Sequence, residues 1–156
     1  MKPKALEIQK QLRIFNLMGY ADESVAYEDN GKGGKILTRT NGNWKYEDEF
    51  YGGEPYSGNE TLWIDENDVF RCVYWGKVAE GINFSDIYTF LRRALKEGPT
   101  GKCVHRGPES FKESDLEYTN ECSGNIEEFV QTELIFVNSK EVYKAYFIGG
   151  RINVQK

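Results

Sequence analysis

The chain has 156 residues, a formal charge of −5 and 39% hydrophobic residues, with ten Tyr, nine Phe and three Trp. That is the length of one domain with enough apolar surface for its own core, which excludes a disordered segment and removes the need for metal or disulfide staples. Lys and Arg are scattered rather than gathered into a stripe, so direct nucleic-acid binding is excluded from the expected functions.

Ala5, Ile8, Leu12 and Phe15 recur at helical spacing behind Pro3 and predict an amphipathic helix ending near Gly19. From Ser24 to Asn43 the runs are short and broken by Asn30-Gly31 and Asn41-Gly42-Asn43, residues that tolerate the positive φ of tight hairpin turns. Two or three antiparallel strands are expected there. Gly33-Gly34 between Lys32 and Lys35 reads as a hairpin tip rather than a phosphate loop, because no helix signal follows it.

Alternation is clearest from Trp44 to Val78. A turn from Asp65 to Asp68 with Ile64 opposite Val69 sets Leu62 against Arg71 and Glu60 against Val73. One face then carries Glu60, Leu62, Val69, Arg71, Val73 and Trp75, and the other carries Trp63, Phe70, Cys72 and Tyr74. A second helix is predicted from about Phe84 to Glu97, with Asn83 or Ser85 as its N-cap and Gly98-Pro99 as its stop. Gly98 to Ser114 reads as a long connection carrying Cys103, His105 and an Arg106-Gly107-Pro108 turn. Three more strands follow, the last two joined at Asn138 to Lys140.

The stretch from Tyr56 to Gly76 recurs seventy-three positions later: Tyr56 falls on Phe129, Glu60 on Glu133, Leu62 on Ile135, Phe70 on Tyr143, Arg71 on Lys144 and Gly76 on Gly149. With one inserted residue upstream, Tyr46 and Gly52 fall on Tyr118 and Gly124. The expected fold is therefore α+β: residues 1–156 form a single domain built from an internally duplicated helix-plus-antiparallel-strands unit, with halves of about 1–80 and 81–156. The strands form either one curved sheet or two facing ones, with the helices packed on them.

The run Tyr46-x-Asp48-x-Phe50-x-Gly52, then Tyr56-x-Gly58-x-Glu60-x-Leu62-Trp63, Tyr74-Trp75-Gly76, Arg106-Gly107-Pro108 and Val142-Tyr143 with Gly149-Gly150 resembles an uncharacterised prokaryotic domain family. That family is found alone or behind a Cro/repressor-type helix-turn-helix. The resemblance covers roughly Tyr46 to Ile152, implies no activity and carries over no catalytic residue. The chain departs from the family pattern at Asn59, where Gln is usual, and at Gln131, where Gly is usual. No helix-turn-helix precedes the strands here.

Glu60 and Glu133 are the candidate chemistry, because equivalent repeat positions can turn two carboxylates toward one pocket. The alternative is that each forms a cross-strand ion pair, Glu60 with Arg71 and Glu133 with Lys144. Tyr46, Tyr51, Tyr56 and Trp63 are the aromatic residues expected to line a ligand pocket beside them, Arg71 and Lys144 are expected to bind the ligand with the two acids, and the glycines of Tyr51 to Glu60 let backbone approach it. His105, the single histidine, stands near Cys103 without the paired elements of a zinc site and is read as a loop histidine, so no metal or cofactor is expected.

Cys72, Cys103 and Cys122 are odd in number and irregular in spacing, which predicts reduced thiols in a cytoplasmic protein. The opening MKPKALEIQK has charges where a signal peptide needs an apolar run, and no stretch approaches the ~20 apolar residues of a membrane span. The functional expectation is a non-enzymatic module, a monomer or homodimer, that binds a small molecule or effector in an aromatic pocket. The alternatives are a small inhibitor or interaction protein acting on another protein, and a hydrolase using the paired glutamates.

Overall fold

A computed structural model describes residues 2–153. The elements are α1 (Ala5–Met18), β1 (Glu28–Asp29), β2 (Lys35–Asn41), β3 (Trp44–Gly52), β4 (Tyr56–Ile64), β5 (Asn67–Val78), α2 (Phe84–Glu97), β6 (Ser110–Glu113), β7 (Leu116–Asn125), β8 (Glu128–Val137) and β9 (Lys140–Arg151). Short turns between alternating strands leave only antiparallel pairing available, and all the strands join one continuous sheet in the order β1-β2-β3-β4-β5-β9-β8-β7-β6. The chain thus lays down one half of the sheet before α2 and the other after it. The halves meet where β5 pairs with β9. The fold is α+β, and of the two expected sheet arrangements the single sheet is the one formed.

Both helices bury their stripes on the same face of this sheet. Ile8, Leu12 and Phe15 of α1 and Ile87, Phe90, Leu91, Ala94 and Leu95 of α2 share one core with inward residues such as Leu62, Phe70, Ile135 and Phe147. α2 begins where the sequence places it, because the Asn83 side-chain oxygen accepts from the Ser85 and Asp86 N–H groups at 3.0 and 3.4 Å. It stops at Gly98, whose φ of 78° needs a glycine. The helices are tied together where Arg13 Nη1 donates to the Leu95 carbonyl at 2.9 Å. Across the uncovered face of the central strands, Val73, Trp75, Val130, Tyr146 and Ile148 stand exposed.

The β4–β5 register differs from the expected one. The turn is only Asp65-Glu66, both at positive φ, and a bulge beside Leu62/Trp63 leaves Val69 as the extra residue. Ile64 therefore pairs with Asn67, Leu62 with Phe70, Thr61 with Arg71 and Glu60 with Cys72. Glu60 and Leu62 share the inner face with Phe70, Cys72 and Tyr74, while Arg71, Val73 and Trp75 point outward. The β8–β9 hairpin has the same construction, with positive φ at Asn138 and Ser139 and a bulge at Ile135/Phe136.

Two further expectations are corrected. The connection after α2 ends in a short strand, β6, whose four residues carry too little pattern to stand out. Cys103 and Cys122 are disulfide-bonded with Cα atoms 5.2 Å apart, and Cys72 alone is free, buried in the core. The partners lie on a loop and on β7, a proximity that cysteine spacing cannot reveal. The thiol argument for a cytoplasmic setting falls with this bond. Among the described residues, no helix is long and apolar enough to cross a membrane.

Candidate functional site

Glu60 and Glu133 are 4% and 0% exposed, so each needs a cation or several donors to remain ionised. Neither uses the expected partner. Tyr46 Oη donates to Glu60 Oε1 at 2.5 Å, and Tyr118 Oη donates to Glu133 Oε2 at 2.5 Å. The second oxygen of each acid is met from one loop: His105 Nε2 lies 2.7 Å from Glu60 Oε2, and Arg106 Nη2 donates to Glu133 Oε1 at 2.9 Å. A single dipeptide therefore clamps both hairpins. The loop bearing it is fixed by the Cys103–Cys122 bond and by Gln131 Nε2, which donates to the His105 carbonyl at 3.1 Å.

The electrostatics follow from these contacts. Burial alone would raise the Glu60 carboxyl, but His105, Arg106 and the Tyr46 hydroxyl outweigh it and hold the group at about 2. Burial would likewise discharge Arg106, whereas the Glu133 carboxylate keeps its pKa well above the ordinary value.

A cavity of about 220 Å³ opens beside the clamp. Asp48 and Phe50 of β3, Tyr56 of β4, Tyr74 of β5 and Phe147 of β9 form its sheet side; Tyr88 and Arg92 of α2, with Tyr20, Tyr27, Gly53 and Arg106 from loops, close the rest. Two of these rings owe their places to glycines on the neighbouring strand. A Cβ at Gly58 would fall 2.5 Å from Tyr74 Oη and one at Gly76 would fall 2.5 Å from Tyr56 Oη. Gly58 and Gly76 thus make room for tyrosine rings, while Gly53 lines the cavity with open space at its Cα.

Asp48 is the acid of the cavity. Tyr27 Oη and Tyr74 Oη donate to its two oxygens at 2.7 and 2.6 Å. Burial and the nearby Glu60 carboxylate push its pKa up to about 6, against the pull of those hydroxyls and of Arg106. Burial also raises Tyr20 to about 12, and raises Tyr27, Tyr56 and Tyr74 beyond it, so every phenol around Asp48 is a neutral donor. Arg106 stacks over Phe147 with its guanidinium carbon 4.3 Å from the ring centroid, and Arg92 stacks over Tyr20 at 4.8 Å. Tyr88 donates to Glu54, and the Tyr56 and Tyr143 hydroxyls are 2.7 Å apart.

Of the residues expected to contact a ligand, Tyr56 alone lines this cavity. Tyr46, Glu60 and Glu133 lie in the buried clamp behind it. Tyr51 points to the other face and accepts from Asn30 Nδ2 at 2.9 Å, while Trp63 carries Lys45 over its ring at 4.3 Å. The expected cross-strand ion pairs are absent: Arg71 donates to Asn59 Oδ1 at 3.0 Å, and Lys144 sits outward opposite Leu134. The sequence reading missed Asp48, Tyr74, His105 and Arg106 as site residues. Asp48 was within its reach, because the two-residue period that turns Tyr46 inward turns Asp48 inward as well. His105 and Arg106 have only long-range partners and left no local signal.

An antiparallel α+β domain with an aromatic, acid-bearing cavity between sheet and helix is the class defined by this geometry. Residues 48–152 match DUF5680, a domain of unknown function, and the chain belongs to that family. No curated protein and no solved structure matches it.

Proposed function

We propose that this chain is a non-enzymatic binding module that holds a small molecule or effector in the cavity between β3, β4, β5, β9 and α2. The observation that carries this reading is the division of labour among the buried acids. Glu60 and Glu133 are saturated by internal partners, whereas Asp48 faces an aromatic-lined space. The resemblance to domains that follow a Cro/repressor-type helix-turn-helix supports an effector-sensing role by analogy. The matched turns and bulges of the two hairpins support their origin as one unit copied once.

A hydrolase built on Glu60 and Glu133 has no observation in its favour, since each acid is held by a basic side chain and a tyrosine. An interaction protein acting on another protein has one, the exposed apolar residues around Trp75 and Tyr146. A thermal-shift screen against a metabolite library tests the first reading, run on wild type beside Tyr88→Trp, which fills the cavity. A ligand at about a hundred times its dissociation constant adds roughly 2.7 kcal/mol to wild type and nothing to the variant. A compound that stabilises both equally binds elsewhere. A screen without any shift, followed by capture of a protein partner that Trp75→Lys abolishes, establishes the second reading instead.

A further inference from the structure

Three carboxylates lie in the buried heart of this molecule, and two basic side chains face them. His105 is taken by Glu60 and Arg106 by Glu133. None of the ion pairs among the described residues includes Asp48, which is 7% exposed, lines the cavity, and is met only by the hydroxyls of Tyr27 and Tyr74. An ionised acid held in a low-dielectric site by neutral donors alone is stabilised further by any cation that reaches it. The walls around it suit a particular kind of cation. Phe50, Tyr56 and Tyr88 line the same space without an arginine stacked on them, whereas Tyr20 and Phe147 carry Arg92 and Arg106; aromatic faces attract an organic cation through the ring quadrupole while their apolar surface matches its alkyl groups.

We propose that the cavity recognises an organic cation, a protonated or quaternary amine whose charged head meets Asp48 within the aromatic cage. This rests on the binding-module reading and names its ligand class. The volume of about 220 Å³ is below the ~300–1,000 Å³ of drug-sized sites, so the occupant is small. The two arginines of the lining do not contradict it: Arg106 is neutralised by Glu133, and Arg92 is half-exposed with its charge on the Tyr20 ring. The raised Asp48 carboxyl agrees with the geometry, since a binding acid awaiting its counter-ion is destabilised by the same burial that makes it selective. The groups facing Asp48 are Glu60 from β4, Tyr74 and the Cys72 thiol from β5, Tyr46 from its own strand, Tyr20 and Tyr27 from the segment after α1, and Arg106 from the loop after α2, while Arg92 of α2 shares the cavity.

The test is titration calorimetry of the full chain with benzyltrimethylammonium, benzyl alcohol and benzoate, which share a ring and differ in charge. The cation is expected to bind at least ~10-fold tighter than either companion, and to lose about 10-fold on going from about pH 7.5 to about pH 5, where only a tenth of Asp48 remains ionised. The Asp48→Asn variant is expected to lose the preference for the cation and its pH dependence together, while unfolding no earlier than wild type at neutral pH. Preferential binding of benzoate or benzyl alcohol, or cation binding untouched by Asp48→Asn, overturns the cation proposal and leaves the cavity a binding site of another class. Binding of none of the three overturns the proposal, and an empty metabolite screen alongside it removes the binding-module reading too.

Discussion

The two halves of the sheet hold equivalent acids in equivalent ways and then diverge around them. Asp48 stands opposite Glu60 on β3–β4, and Asn120 stands opposite Glu133 on β7–β8. Gly58 faces Tyr74, and Gln131 faces Phe147. In the second half Asn120 Nδ2 donates to the Gly107 carbonyl and Gln131 to that of His105, so the disulfide-bonded loop occupies the room beside Glu133. In the first half glycine leaves space, tyrosine supplies hydroxyls, and a charged acid replaces the amide. Similarity between the halves therefore marks the scaffold, and the cavity lies where they differ.

Breaking the shared clamp has the largest expected effect. Arg106→Ala strands the Glu133 carboxylate at 0% exposure, and urea denaturation should register a loss of roughly 3–5 kcal/mol that Arg106→Met with Glu133→Leu largely restores. Opening the disulfide tests whether the loop filling the second half is held by covalent bonding or by packing. It closes a separation of 19 residues, and Cys103→Ser with Cys122→Ser is expected to lower the unfolding free energy by about 3 kcal/mol.

The divergence between acids is sharpened by pH. Glu60, held at about 2 against an ordinary 4.5, contributes stability that is complete above pH 4.5 and lost as pH falls toward 2. Asp48 runs the other way: raised from 3.8 to about 6, it favours the folded state only while protonated, and that stability is lost as pH rises through this window. Asp48→Asn should therefore gain on the order of 1–3 kcal/mol at neutral pH relative to wild type and little at acid pH, read from denaturation midpoints across the range. The smallest effects belong to the outward charges. Arg71→Ala and Lys144→Ala should each move the melting curve by no more than about 0.5 kcal/mol, since neither side chain reaches a repeat glutamate.

Much of the scaffold was legible because its causes are local. Asn83 and Gly98 bracket α2 by chemistry that any reader of caps can see, and the recurrence of Glu60 at Glu133 pointed to the acids that clamp the hairpins. The β4–β5 register was not legible, because the bulge that isolates Val69 shifts every partner beyond it and leaves no compositional trace. The cavity was visible in the sequence at a single residue. Tyr56, picked out by its place among glycines, lines the cavity, but reading for repetition drew attention to Glu60 and Glu133 and away from Asp48, which has no charged counterpart in the second half. The roles of His105 and Arg106 depend on where a loop crosses the sheet, and nothing near them in the chain encodes that.

The outer strands of the sheet have their own consequence. β1 has two residues and β6 four, both carrying charge at Glu28, Asp29, Lys112 and Glu113, so the outermost strands are short and charged. Strand addition is disfavoured where these short charged segments lie. The Trp75 and Tyr146 rings, stacked with centroids 6.2 Å apart, stand instead on the uncovered face of the sheet.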